Sequence, residues 1–288
     1  MPDQHAPHPR VLVDETFKLG EGPLYDDRRD ILYWTDIPAG ELWRCKPDGS
    51  DPRRIYSGPQ VGGFTLEPAG DLLLFREDDV ALLDDAGHVT PLVTIDKPAG
   101  AHRFNDVIAA PHGGVFAGLL AGDAHAGGLY HLPPAAAADP DNTIKPTLLF
   151  SGSRIPNGLG FTPDNSGLYW TDSVPKTIHR FTYDPDAGEI GDRATFWHGD
   201  DDGPTPDGLD VDENGHVWSA RWGGACICEH TPDGRLVRTI ELPTDNITSC
   251  VFGGPDLATL YVTSAGGPLY ALRPGPRGRP AFRSRITG

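Results

Sequence analysis

One phrase occurs twice in the chain and a third time in weakened form: Leu32-Tyr33-Trp34-Thr35-Asp36, Leu168-Tyr169-Trp170-Thr171-Asp172 and Leu260-Tyr261-Val262-Thr263-Ser264. Each copy follows a turn rich in Asp, Pro, Asn or Gly, and each turn follows a short apolar segment. Self-similarity at intervals of tens of residues is the mark of a solenoid, a propeller or an array, and it constrains the fold before any other feature. Carried along the chain, the template finds six copies, starting at residues 21, 62, 105, 157, 207 and 249 and spaced by 41 to 52 residues.

Each copy continues with further strand-like pieces. After Trp34 come Leu42-Trp43-Arg44-Cys45, the turn Pro47-Asp48-Gly49 and then Arg54-Ile55-Tyr56. After Trp218 come Cys226-Ile227-Cys228-Glu229, the turn Pro232-Asp233-Gly234 and then Leu236-Val237-Arg238-Thr239-Ile240. Four short strands joined by turns, repeated at about this spacing, make a propeller blade. The expected fold is therefore all-β, a six-bladed β-propeller with four-stranded blades. The 36 Gly and 29 Pro among 288 residues exclude a helical bundle. Closing the ring calls for a strand from outside the repeats. Val11-Leu12-Val13-Asp14-Glu15 is expected to supply it to the last blade, with the tail at 281–286 as a further contributor. Two stacked β-sandwich domains are the rival topology, but no composition break or linker separates two halves. The expected organisation is a flexible tail over 1–10 and one propeller domain over 11–288.

The formal charge is −17, from 41 Asp plus Glu against 24 Lys plus Arg. Such an excess repels nucleic acid and anionic membrane surfaces, so neither is an expected partner. No apolar run approaches the roughly 20 residues of a membrane span. The start lacks a basic stretch followed by an apolar one, so a cytoplasmic location is expected. The cysteines are Cys45, Cys226, Cys228 and Cys250, without zinc-type spacing, and read as buried free thiols of a reducing compartment. The sequon Asn246-Ile247-Thr248 has no meaning without export.

In a propeller the innermost strands line a central channel, so equivalent repeat starts form a ring around its axis. Here that ring reads Glu21, Gly62, Asn105, Asn157, Asp207 and Ser249. Asn-Gly and Asp-Gly are ordinary turn dipeptides when taken singly. In register across repeats, however, two carboxylates and two carboxamides supply a hard oxygen donor set for a divalent cation, which would offset the repulsion between Glu21 and Asp207.

At these positions the sequence resembles the SMP-30, gluconolactonase and luciferin-regenerating-enzyme family, also called the regucalcin family. The resemblance is carried by Leu19-Gly20-Glu21-Gly22-Pro23, Arg103-Phe104-Asn105-Asp106, Ile155-Pro156-Asn157-Gly158-Leu159, Pro206-Asp207-Gly208-Leu209 and Ser249-Cys250-Val251-Phe252-Gly253-Gly254. Each segment alone is weak, but together, in family order, they are specific and span most of the chain. The resemblance implies a six-bladed propeller with one catalytic divalent metal, Ca²⁺, Mn²⁺, Zn²⁺ or Fe²⁺. Glu21, Asn157 and Asp207 would be its ligands. Arg103 would contact sugar hydroxyls, and Asn105 would bind substrate or a metal-linked water. The implied substrate is a small-molecule sugar lactone of the gluconolactone, xylonolactone or arabinonolactone type, hydrolysed to its aldonic acid.

That chemistry suits the residues. A polarised lactone carbonyl is open to attack by water, and a nearby carboxylate, Asp207, can take the proton. A metal-bound hydroxide, with Asp207 only as ligand, is the alternative. Two other functions stand beside it: a non-catalytic calcium- or ligand-binding propeller, and a metal-dependent hydrolase of other esters or organophosphates. No GxSxG elbow, P-loop or dinucleotide fingerprint is present. His102 is expected to face away from Arg103, and Trp34 and Trp170 to be blade core. Gly118-Leu119-Leu120 departs from the family's Gly-Thr-Met and would change one pocket wall, and the following loop at 122–128 is expected to face substrate. The short segment after Ala265 leaves that side of the mouth open. Nothing in the sequence sets how many copies associate.

Overall fold

The computed structural model describes residues 8–94, 100, 102–134 and 146–287. Among them the chain forms six four-stranded antiparallel sheets and no α-helix, with one 3₁₀ turn at Ile37–Ala39. The sheets are the blades of a six-bladed β-propeller. Their innermost strands are Gly20–Asp26, Val61–Leu66, Phe104–Ala109, Pro156–Phe161, Thr205–Val211 and Asn246–Gly253, so the six repeat starts do fall on equivalent strands. No helix is long and apolar enough to cross a membrane.

A blade of four strands has two faces to cover. The described residues divide their apolar core into six clusters, and each cluster draws on two consecutive blades. Trp34, Trp170 and Trp218, at matching positions of the second strands, are fully buried in three of these seams. Burying a side chain of this size stabilises by about 2–3 kcal/mol each. The ring is thus held by seams rather than by independent blades, and removing one blade would expose two of them.

The last blade is completed by the first described strand. Arg10–Phe17 pairs antiparallel with Gly267–Leu272, outside Thr259–Ala265 and Asn246–Gly253. Residues 1–7 of the expected tail lie outside the described residues. The C-terminal tail does not add to the last blade. After Leu272 it crosses beneath the channel: Arg279 donates to the Thr162 carbonyl at 2.9 Å and Asn165 Oδ1 at 2.9 Å on blade 4. It then reaches blade 2, where Arg283 makes one parallel bridge to Leu66. The anchor is Glu67, a carboxylate on blade 2 that is 1% exposed. It accepts from Ser284 Oγ at 2.6 Å, Thr287 Oγ1 at 2.8 Å and the Ile286 N–H at 3.2 Å. With the last blade already complete, the tail docks where its buried donors meet the Glu67 carboxylate.

Glu67→Ala removes the acceptor of the Ile286 amide and the Thr287 hydroxyl, while Ser284 Oγ keeps the Leu66 carbonyl at 3.3 Å and Thr65 Oγ1 at 2.7 Å. It should cost about 3 kcal/mol and lower Tm by roughly 5–10 °C, with Glu67→Gln intermediate. Thermal unfolding by circular dichroism measures both, and an unchanged Tm for the alanine variant would mean that the tail anchor contributes nothing.

Candidate active site

All six inner strands break register at the same level. The shifts fall between Glu21 and Leu24, Val61 and Gly63, Phe104 and Val107, Asn157 and Leu159, Pro206 and Leu209, and Ile247 and Ser249. A bulge sets an extra residue against the partner strand and re-aims side chains that strict alternation would turn away. Six bulges at one height therefore turn a ring of polar residues toward the axis. Neighbouring inner strands also run very close. A Cβ on Gly158 would lie 2.7 Å from the Asp207 carbonyl oxygen, and one on Gly62 would lie 1.9 Å from the Phe104 carbonyl oxygen and 3.2 Å from Arg103 Nη1. Glycine at 62 is what lets the Arg103 side chain lie over its neighbour.

Above the bulges opens a cavity of about 800 Å³. Glu21, Arg103, Asn105, Asn157 and Asp207 all line it, each at most 9% exposed. The carboxamides are held in one orientation. Ser173 Oγ donates to the Pro206 carbonyl at 2.7 Å, so it must accept from Asn157 Nδ2, 2.8 Å away. That leaves Asn157 Oδ1 as the oxygen turned away from Ser173, and Asn105 Nδ2 donates to it. Asn105 is set in turn by Arg103 Nη1, which donates to its Oδ1 at 2.7 Å, and by the Pro156 carbonyl, which accepts from its Nδ2 at 3.0 Å. Glu21 accepts from the Gly22 amide at 3.1 Å. Asp207 Oδ1 is buried and has no hydrogen-bond partner.

The site holds one more acid than the sequence pattern exposed. Asn105 and Asp106 together face Gly118 across the bulge between Phe104 and Val107. Both therefore turn inward, whereas alternation alone would send Asp106 away. Asp106 lines the narrower continuation of the channel, a cavity of about 150 Å³ closed from below by Arg279, Pro280, Ala281 and Phe282. Burial raises Glu21 well above the ordinary carboxyl range, and the charges of Asp207 and Asp106 raise it further. Burial and Asp106 do the same to Asp207. Burial pushes Asp106 up to about 7, against the pull of Arg103. Arg103, losing its hydration, is itself lowered. Three carboxyls share the axis with one guanidinium and exceed it in charge when ionised, and Asp207 offers an oxygen with no hydrogen-bond partner.

Several expectations change here. His102, expected to face away, lines the cavity. The segment 122–128 does not line it: the wall is formed just before it, by Leu120 and Ala121. His125 in that segment instead accepts from the Gly127 amide at 2.9 Å and meets the Tyr130 hydroxyl at 2.9 Å. Leu120, at the departure from the family pattern, does form a wall. Arg154, Ile155, Val174 and Trp222, which the repeat starts could not reveal, complete the mouth. Asp212, His216 and Glu229 form a second close acid–histidine group, but their atoms are already engaged. Asp212 accepts from the amides of Asn214 and His216 at 2.9 Å each and from Trp218 Nε1 at 3.0 Å. Glu229 meets His216 Nδ1 and Arg238 Nε at 2.6 Å each. That group secures a turn and a strand edge, in contrast to the open Asp207 oxygen.

The SMP-30/gluconolactonase/LRE-like family model matches residues 19–266. The chain belongs to this family. It is similar to a pentonolactonase of Haloferax volcanii, 36% identical, with 96% of this chain and 97% of that protein covered. It is also similar to a 6-deoxy-6-sulfogluconolactonase of Pseudomonas putida, 32% identical with 89% and 86% covered. Among solved structures, a calcium-binding regucalcin from Agrobacterium tumefaciens superposes with a TM-score of 0.87 at 26% identity, covering 97% and 98% of the two chains. The family match includes all six bulged strands.

Carboxyls raised by burial hold protons in the folded chain at pH values where the unfolded chain has released them. Their contribution is therefore fully present below the ordinary carboxyl range and lost as pH rises through their raised values, which for Asp106 is about 7. Between pH 5.5 and 7.5 the Tm of chelator-treated protein should fall by several degrees, Asp106→Asn should flatten that slope, and a saturating divalent cation should raise Tm most at the upper end. Differential scanning fluorimetry across this range gives all three, and a slope indifferent to Asp106→Asn would separate the axis carboxyls from the effect.

Proposed function

We propose that the chain is a sugar lactonase, a hydrolase that opens aldonolactones to aldonic acids with a divalent cation at the propeller axis. The observation that carries this reading is the buried, unpartnered Asp207 oxygen on the same cavity floor as Glu21, Asn157, Arg103 and Asn105. The names of the family relatives support it, including a pentonolactonase and a sulfogluconolactonase.

Glu21, Asn157 and Asp207 would hold the cation: two carboxylates and one carboxamide oxygen are a hard set suited to Ca²⁺ or Mn²⁺, and Zn²⁺ or Fe²⁺ fit with fewer ligands. When bound, the cation supplies Lewis-acid polarisation of the lactone carbonyl. Arg103 presents a planar fork of donors to ring hydroxyls, and Asn105, held by Arg103 and Pro156, keeps that fork in place. Asp207 accepts the proton of the attacking water. The water oxygen bonds to the carbonyl carbon, the ring C–O bond breaks, and the departing oxygen is protonated, leaving a hydroxy acid. The low exposure of the floor keeps bulk water from weakening these interactions. Four unpaired cysteines fit a reducing compartment such as the cytoplasm. The net charge of −17 favours a small-molecule substrate over nucleic acid or an anionic membrane.

The test is acid release from a panel of glucono-, xylono- and arabinonolactones, corrected for spontaneous opening. It uses chelator-treated protein re-supplied with Ca²⁺, Mn²⁺, Zn²⁺ or Fe²⁺. Activity should vanish with the chelator and return with at least one ion. Asp207→Ala and Glu21→Gln should each lower kcat/KM by about 100-fold or more while keeping the native circular dichroism spectrum. Full turnover in both variants, or cation binding with no acid release from any lactone, would end the proposal.

A further inference from the structure

The mouth of the axial cavity carries an apolar wall that the polar floor does not use. Seven large hydrophobic side chains stand exposed among the described residues, and three of them, Ile155, Val174 and Trp222, line this one cavity at 42%, 48% and 40% exposure. Exposed side chains of this size are ordinary when scattered singly. Gathered at the rim of a pocket, they mark a surface that an apolar ligand covers.

Their positions follow from the strands that carry the floor. Ile155 lies two residues before Asn157, and its carbonyl accepts from the Ser173 amide at 3.1 Å, which ties this segment to the turn holding Val174. Trp222 stands opposite Thr205, two residues before Asp207. Two residues along a strand span about 7 Å, roughly the width of a lactone ring, so the wall meets whatever a ring on the floor carries outward. Leu19 and Leu120 add apolar surface to the same lining. The cavity of about 800 Å³ lies in the upper part of the roughly 300–1,000 Å³ that pockets for drug-sized ligands occupy, more than a five- or six-carbon lactone fills. With the lactone beside Arg103 and Asn105, the space left over is bounded by Ile155, Val174 and Trp222. Hydroxyls pressed against that wall would lose water and gain no partner, whereas a hydrocarbon chain there takes apolar surface out of water on both sides.

We infer, on the lactonase reading, that the same site also opens lactones whose ring bears an alkyl arm, with the ring on the floor and the arm against Ile155, Val174 and Trp222. The reaction is the same: the water oxygen bonds to the carbonyl carbon, the ring C–O bond breaks, and the ring oxygen takes a proton. The product is a hydroxy acid that keeps its arm. The wall touches the arm and not the reacting atoms, so it strengthens ground state and transition state alike and acts through KM rather than kcat. Arg154 and His102, both exposed at the same mouth, are what a second sugar ring would bond, which makes a disaccharide lactone the rival occupant.

The test is acid release by the cation-loaded protein from γ-butyrolactone and its γ-alkyl homologues from methyl to hexyl, alongside gluconolactone and its galactosylated form, all corrected for spontaneous opening. Along the alkyl series kcat/KM should rise about two- to four-fold per added methylene until the arm outgrows the wall, with most of the gain in KM. Trp222→Ala and Ile155→Ser, at exposed positions, should each cut the ratio of hexyl to methyl lactone kcat/KM by about five-fold or more. Acid from gluconolactone with no rise along the alkyl series, or the same ratio in both variants as in the unaltered protein, would overturn the inference and leave the lactonase reading standing. A preference for the galactosylated lactone that Trp222→Ala abolishes, again with a flat alkyl series, would give the wall to a second sugar instead. No acid from any lactone would remove the lactonase reading itself, and this inference with it.

Discussion

Glu21, Asp106 and Asp207 reach the axis from three different blades, and burial raises the proton affinity of each. Three carboxyls this close are tolerated because the scaffold beneath them cannot yield. Six seams of packed side chains lock the blades at fixed angles, and adjacent inner strands approach so closely that Gly62 and Gly158 leave no room for a Cβ. Charge that would spread a softer structure apart is instead stored as raised proton affinity and as demand for a cation. Arg103 relieves part of it, and its reach into the channel depends on the missing side chain at Gly62.

The bulges convert that rigidity into chemistry. A regular strand shows the channel every second residue, which gives each blade one polar group at a given height. Breaking register at the same level in all six inner strands brings Asn105 and Asp106 inward together. It also lets Asn157 be clamped between Ser173 and Asn105. Orientation of the carboxamides is then a property of a chain of hydrogen bonds running across blades 3, 4 and 5, in which the Pro206 carbonyl sets Ser173, Ser173 sets Asn157, and Arg103 sets Asn105. The far end of the channel is closed by the C-terminal tail, tied to Glu67 on one side and to Thr162 and Asn165 on the other. The floor of the site is thereby kept from opening to solvent below.

Much of this was legible in the residues. The Leu-Tyr-Trp-Thr-Asp phrase, the turn dipeptides and the recurrence of four short apolar pieces led to six four-stranded blades, and Trp34 and Trp170 were readable as core from their place in that phrase. Val11-Leu12-Val13 read as an edge strand because its apolar character had no repeat to belong to. What was not legible depended on partners far away in the chain. Asp106 was not among the expected site residues because nothing local announces a bulge. His102 was turned away by the alternation rule, which does not hold two residues before the strand Phe104–Ala109 begins. The tail looked like a last-blade strand because its attraction to Glu67, more than 200 residues earlier, has no sequence signal.

The sequence by itself determined the number of blades, the order of strands and the ring of polar repeat starts, since each follows from turn chemistry and the two-residue period of a strand, both local properties. Only the tertiary structure decided which oxygen of Asn157 turns away from Ser173, that Asp106 joins the axis, where the tail docks, and that Arg221 lies buried over the Trp197 ring. Those outcomes arise from register shifts and from contacts between blades, where the energy of satisfying a buried polar group is settled by residues that no local pattern connects.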